Sequence, residues 1–382
     1  MSKAVLPIVL LVAAAPVAAA DLSSREKLGE ALFFDVNLSS NRTQACASCH
    51  DPAFGFSDPR DNGPEKGGKM ASLGANGASV GDRNAPTASY AAFSPTFSFN
   101  TKTKVAKGGQ FHDGRAATLQ DQAAGPPLNP GEMAMASKAD VLGRLKEKPE
   151  YVAAFSALYG AAALENADRA YDAMTDAIAS FERTPFFAPF DSKYDRALRG
   201  EYKMTPEEEL GQTLFFSQQF TNCNVCHQLA PSPAAEKETF SNYEYHNIGV
   251  PVNASLRAVN GVKPKFVDRG LAENPTIKDK KATEGKFKTP TLRNVAVTGP
   301  YMHNGVFADL ETVIRFYNKY NATSDASQIN PETGKPWGKP EVAKNLSMKE
   351  LETGPALDDR RIKALVAFLK TLTDARYEHL VK

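Results

Sequence analysis

The segments Cys46-Ala47-Ser48-Cys49-His50 and Cys223-Asn224-Val225-Cys226-His227 hold all four cysteines of the chain. In each C-x-x-C-H, two thioether bonds would fix one porphyrin, and the adjacent histidine would offer its proximal nitrogen to the iron. The chain therefore reads as a carrier of two covalent c-type haems, one held by Cys46, Cys49 and His50 and the other by Cys223, Cys226 and His227. A zinc site of four thiolates, or two redox-active cysteine pairs, has similar cysteine spacing. Neither needs the histidines, and only six histidines occur in 382 residues.

The stretches around the two motifs repeat. Leu28-Gly29-Glu30-Ala31-Leu32-Phe33-Phe34 precedes the first, and Leu210-Gly211-Gln212-Thr213-Leu214-Phe215-Phe216 the second. Pro86-Thr87 then matches Pro290-Thr291, and His112-Asp113-Gly114 matches His303-Asn304-Gly305. A shared order of helix, haem motif, Pro-Thr and His-Asx-Gly argues for an internal duplication of a cytochrome c-like unit. Apolar residues recur at helical spacing at Tyr171, Met174, Ile178 and Phe181 behind the candidate cap Asn166. They do so again at Leu310, Val313, Ile314 and Tyr317, and at Ile362, Leu365, Val366 and Leu369. Ala139–Lys146 and Glu150–Tyr159 are further helical runs, split by Pro149. No strand ladder is evident. The expected fold is mostly α, with two haem lobes, long loops and little sheet. Residues 51–85, rich in Gly, Asp and Asn, form a loop long enough to wrap a cofactor or line a site. Residues 184–190 mark a crossing between lobes, where three phenylalanines argue for packing rather than a free linker.

The repeat breaks where a sixth iron ligand would stand. Pro126 follows His112 by 14 residues, and Tyr317 follows His303 by 14. Proline cannot ligate iron. If this position is distal, the Tyr317 phenolate closes the second haem while the first keeps an open face able to bind and cleave peroxide. Spacing alone is equally met by a core tyrosine on an amphipathic helix.

Residues 1–20 have the form of a secretory signal: Lys3, an apolar run, and Ala18-Ala19-Ala20 before Asp21. That run is short for a membrane span, and no later segment is apolar enough to be one. Export and covalent c-type haem both point to a bacterial periplasm. The rest suits two lobes, an N-terminal haem domain over 21–190 and a C-terminal haem domain over 191–382. With 45 basic against 44 acidic side chains, nothing argues for nucleic acid or an anionic membrane surface.

The chain resembles the bacterial di-haem cytochrome c peroxidase and MauG superfamily over essentially its whole mature length. The most specific stretches are 240–251 (FSNYEYHNIGVP), 294–307 (NVAVTGPYMHNGVF), 316–320 (FYNKY) and 330–338 (NPETGKPWG). The resemblance implies a high-spin first haem with an open distal site and a low-spin second haem with His and Tyr ligands. The ordinary peroxidases carry methionine where this chain has Tyr317, which places it on the MauG side. Gln122, Pro126 and Glu132 match the distal pocket of the open haem. Asn84, Thr298 and Pro300 match the ligands of a calcium ion between the haems. Read alone, Glu132 would be a turn carboxylate and Asn84 a turn former. Two departures stand out: His112 replaces a tryptophan between the haems, and Thr221 replaces a surface tryptophan just before the second haem motif.

The resemblance implies an enzyme that uses hydrogen peroxide to form high-valent haem iron and oxidise a partner protein. Within the family this serves the tryptophan-derived quinone of the methylamine dehydrogenase precursor. Glu132 would relay the proton and Gln122 orient the ligand. The alternative is a peroxidase that removes peroxide with electrons from a small cytochrome c or cupredoxin. A third reading, a di-haem electron carrier or sensor, does not need an open haem face. His112 would bridge the haems or serve as a buried structural histidine bonded to backbone. Phe220, Tyr243 and the lone Trp337 are candidate exits for oxidising equivalents, with a core indole as the plainer reading of Trp337.

Overall fold

The computed structural model describes residues 21–382 except 233, 264 and 353, and the expected signal at residues 1–20 lies outside the described residues. The first half holds α1 (Arg25–Phe33), α2 (Cys46–Cys49), α3 (Leu119–Ala123), α4 (Lys138–Lys146), α5 (Pro149–Tyr159) and α6 (Ala167–Glu182). The second half holds α7 (Lys193–Leu198), α8 (Pro206–Phe216), α9 (Cys223–Cys226), α10 (Ala254–Arg257), α11 (Lys280–Thr283), α12 (Leu310–Asn318), α13 (Met348–Leu351) and α14 (Asp359–Lys370). Sheet is confined, among the described residues, to three antiparallel two-stranded ribbons. These pair β1 (Ser98–Asn100) with β2 (Val105–Lys107), β3 (Tyr245–His246) with β4 (Phe287–Lys288), and β5 (Ile329–Asn330) with β6 (Lys335–Pro336). These strands of two or three residues are too short to show alternation in the sequence. None of the described helices is long and apolar enough to cross a membrane.

The helices begin where capping chemistry puts them. Asn166 accepts a hydrogen bond from the Arg169 amide at the head of α6, and Pro149 opens α5 at a position where its missing N–H costs nothing. Along α6, Tyr171, Met174, Ile178 and Phe181 are buried as their spacing requires. Each such side chain removed from water contributes about 1.5–3 kcal/mol.

Two cores result. One gathers residues between Leu28 and Phe187, the other residues between Tyr194 and Leu372. Each is organised by the same crossing. α1 packs on α6 and α8 on α14, and each pair meets at a glycine. A Cβ on Gly29 would stand 1.9 Å from the Ala177 carbonyl oxygen, and one on Gly211 1.9 Å from that of Ala364. The halves also interlock. Arg293, fully buried, pairs with Asp195, donates to the Glu238 carbonyl, and lies against the rings of Tyr90 and Phe190. Tyr90 in turn bonds Asp374, and the Tyr377 hydroxyl donates to the Pro52 carbonyl. Residues 184–190 are part of this packing: Phe187 is buried and stacks on Phe56.

Backbone oxygen cannot retreat from a crossing glycine. Gly211→Ala should therefore destabilise the holoprotein by about 1–3 kcal/mol. Gly143, in α4 with open space around it, is the contrast. Gly143→Ala should stabilise by up to about 1 kcal/mol. Thermal unfolding followed by far-ultraviolet circular dichroism compares the two, and equal midpoints would mean that the close crossing carries no energetic weight.

Candidate haem-binding active site

Both C-x-x-C-H motifs form a single helical turn ending at the histidine. After each turn the chain folds back so that a phenylalanine in the left-handed conformation presents its carbonyl to the imidazole. Phe56, at φ 56°, accepts from His50 Nδ1 at 3.2 Å, and Phe240, at φ 56°, from His227 Nδ1 at 3.0 Å. Donating through Nδ1 fixes the tautomer and leaves Nε2 as the free lone pair, the arrangement a metal-ligating imidazole needs. Burial holds both rings neutral, with His227 pushed down to about 4. The Pro-Thr repeat braces the same turns: Thr87 Oγ1 donates to the Gly55 carbonyl, and Thr291 Oγ1 to that of Thr239.

The cysteines suit thioether attachment rather than thiolate chemistry. Burial pushes the Cys46 and Cys226 thiols up to about 12 and raises Cys49 and Cys223 as well, the reverse of a reactive or metal-binding cysteine. Among the described residues, no three His, Cys, Asp or Glu side chains converge to hold a metal ion. A four-thiolate zinc site does not fit this arrangement.

A cavity of about 360 Å³ runs from Cys223, Cys226 and His227 to Tyr317 on α12 and on to His112 and Asn84 between the halves. Its walls include Leu310, Ile314, Leu365 and Leu369, so an apolar macrocycle fits the lining. Burial raises the Tyr317 phenol well above its ordinary value, so a phenolate there would require a cation beside it, which a ferric iron held by His227 would supply. Met302 lines the same cavity.

At the first motif, Pro126 opens a short 3₁₀ turn, and its neighbours Ala124 and Leu128 pack on the core that Cys46 and Ala47 join. Glu132 sits in the following turn, accepting from the Asn129 side chain at 2.8 Å. Its charge is felt at both Cys46 and Cys49, and burial pushes its carboxyl above the usual range, against a weaker opposing pull from Arg115. Gln122 is half-buried on α3, one turn before Pro126. The long loop packs behind this turn: the Ala75 amide donates to the Glu132 carbonyl at 2.7 Å, and Gly74 fits against Gly131.

Between the motifs the halves exchange backbone hydrogen bonds reciprocally. The Asn84 amide donates to the His303 carbonyl at 2.8 Å and the Lys288 amide to the His112 carbonyl at 2.9 Å, and Asn84 and Lys288 each stand two residues before their Pro-Thr. The His112 imidazole bonds the Asn84 carbonyl through Nε2 at 2.9 Å and is held neutral by burial, near 4. His303 stacks on Phe287 at 3.6 Å and has no partner for its buried Nε2. Asn84, Thr298 and Pro300 line this end of the cavity together, and Asn84 Nδ2 donates to the Met70 carbonyl, leaving its amide oxygen to an outside cation.

Of the candidate exits, Phe220 is 40% exposed, and Tyr243 is buried with its hydroxyl unpartnered. Trp337 is half-buried rather than core, and its Nε1 donates to the Ser327 carbonyl. Its ring lies 5.5 Å from that of Phe316, the neighbour of Tyr317. Sequence reasoning missed Lys288 and the brace in which Arg83 grips both Asp268 and Asp113. The repeat register, which sets Lys288 against Asn84, was the available signal for the first.

Comparisons with known proteins agree with this geometry. The profile of the di-haem cytochrome c peroxidase family matches residues 23–203. The chain is 54% identical over 355 residues to the methylamine utilization protein MauG of Paracoccus denitrificans, covering 93% of this chain and 90% of that protein. It is 34% identical over 303 residues to the cytochrome c peroxidase Ccp of Escherichia coli, covering 79% of this chain and 54% of that longer protein. Among solved structures, the diheme peroxidase BthA of Burkholderia thailandensis superposes with a TM-score of 0.81 at 30% identity, over 94% of this chain and 88% of that one. The paired haem motifs, their backbone-bonded histidines and a relative of this similarity place the chain in the di-haem cytochrome c peroxidase and MauG family, as a MauG-like, peroxide-dependent oxidoreductase carrying c-type haems.

Proposed function

We propose that the chain works in the periplasm, binding hydrogen peroxide at the haem of Cys46, Cys49 and His50 and oxidising a partner protein from the lobe of Cys223, Cys226 and His227. The observation that carries this reading is the asymmetry at matched positions, Pro126 in one half and Tyr317 in the other. It is supported by the likeness to the methylamine utilization protein, which points to a methylamine dehydrogenase precursor or a related protein as substrate. The repeated glycine crossings and histidine turns support two haem domains, 21–190 and 191–382, derived by duplication.

When bound, the haems supply the redox chemistry: two-electron reduction of peroxide and storage of the oxidising equivalents. The chain supplies the rest. O–O heterolysis needs a proton moved from the inner to the outer oxygen, and Glu132, half-buried and inclined to hold a proton, is the group for that transfer. Gln122 orients the peroxide by hydrogen bonding, and Pro126 keeps that face free of a protein ligand. Tyr317, as phenolate, donates electron density and favours oxidised states of the second site. Asn84, Thr298 and Pro300 would hold a calcium ion near the His112–Asn84 junction. Trp337, through Phe316, offers an oxidisable path from Tyr317 towards the surface where Thr221 offers none.

A peroxidase fed by a small cytochrome or cupredoxin is the second reading, favoured by the absence of indole at 112 and 221. Imidazole is harder to oxidise than indole, so His112 is a poorer stepping stone than tryptophan.

Glu132→Gln should slow peroxide consumption by resting ferric protein about 10²–10⁴-fold with both haems still attached, as expected for loss of a general acid–base group. Stopped-flow absorbance with one equivalent of peroxide reads this, and a rate equal to the parent would reduce Glu132 to a turn residue. His112→Trp should give fuller sharing of oxidising equivalents between the two sites, seen as a stronger near-infrared charge-resonance band. If the parent already shares them completely, the bridge argument fails.

A further inference from the structure

Lys288 is the only lysine or arginine among the described residues lining the cavity that joins Cys223, Cys226 and Tyr317. It is held firmly. It ends β4, pairs across the ribbon with Tyr245, and its amide donates to the His112 carbonyl at 2.9 Å. Its ammonium donates to the Gly109 carbonyl and reaches towards the Ser94 hydroxyl at 3.5 Å, both neutral oxygens. Among the described residues, Asp113 is the carboxylate that acts on it, and Arg83 and Arg115 already grip that group at 2.7 and 2.9 Å. No carboxylate among the described residues forms an ion pair with Lys288.

Lys288 is half-buried where it lines the cavity, and a group filling that cavity would bury it further; a buried charge with only neutral partners is costly, and proteins normally supply it with a counter-ion. Burial here pushes the amine down to about 8. The group that fits this cavity is a porphyrin attached at Cys223 and Cys226, and the only anionic parts of a c-type haem are its two propionates. The matched position in the first half is Asn84, which carries no charge. We infer that Lys288 is the counter-ion of a propionate of the second haem, a cationic anchor the first haem lacks at the matched position. This rests on the second haem occupying this cavity.

Removing a positive charge beside a haem disfavours adding an electron. In Lys288→Gln, the ratio of reduced to oxidised second haem at the parent's midpoint should fall at least about threefold, or about 28 mV at 59 mV per tenfold. Lys288→Arg should restore it, and the high-spin haem should barely move. Spectroelectrochemical titration of holoprotein reads both centres, after denaturing mass spectrometry has counted two haems per chain. An unchanged low-spin potential in a fully loaded Lys288→Gln protein, or a shift confined to the high-spin centre, overturns the assignment. Should that variant not load, the parent decides. The propionate bending band of its low-spin haem in resonance Raman should shift on exchange into deuterated water, and an unmoved band overturns the proposal. A parent lacking the second haem would instead sink the di-haem reading itself.

Discussion

The hydrogen bond from each haem-motif histidine to a phenylalanine carbonyl is the contact on which the rest of the site depends. An imidazole free to turn would present either nitrogen to the iron, and its ligand field would vary with it. Nδ1 of His50 and of His227 is instead committed to Phe56 and Phe240, so Nε2 points where a porphyrin tied to the preceding cysteines must lie. That commitment requires a left-handed backbone at a bulky residue, an unfavourable conformation, in both halves. Phe56 and Phe240 are fully buried, and their packing against Phe187 and Phe368 offsets the strain.

With the proximal side the same in both halves, function has to come from what differs around it. The halves share the glycine crossing, the motif turn, the Pro-Thr brace and the reciprocal bonds at Asn84 and Lys288. They differ at Pro126 and Tyr317, and at Asn84 and Lys288 themselves. On the proposed reading, one site would be left open beside a carboxyl that burial raises, and the other closed by the Tyr317 oxygen and set beside a cation. The proposed division of labour, peroxide at one end and storage and delivery at the other, would rest on these few substitutions on a common frame.

Much of this is legible in the sequence because it is local. The C-x-x-C-H motifs, the caps at Asn166 and Pro149, and the apolar stripes of α6, α12 and α14 depend on residues a few positions apart. The repeat made more readable, since Pro126 gains meaning only beside Tyr317. What stayed hidden is held by contacts distant in the chain. The Phe56 and Phe240 carbonyls are backbone groups with no signature of their own. Arg293 and Asp195, or Arg83 and Asp268, are ordinary surface residues by type until folding buries them together. His112 is half-buried, and the bond from its ring to the Asn84 carbonyl lies at the junction between the halves. Trp337 is better exposed than a core indole would be, which its sequence neighbourhood did not reveal.

The proposed division turns on Tyr317 closing the second haem while no described residue closes the first. Electron paramagnetic resonance of resting ferric Tyr317→Ala holoprotein tests it most directly. The parent should show one high-spin and one low-spin ferric signal, and the variant should lose the low-spin signal while both haems remain attached. An unchanged low-spin signal in the variant would contradict the claim and pass the ligand to another residue, with Met302 in the same cavity the first to examine.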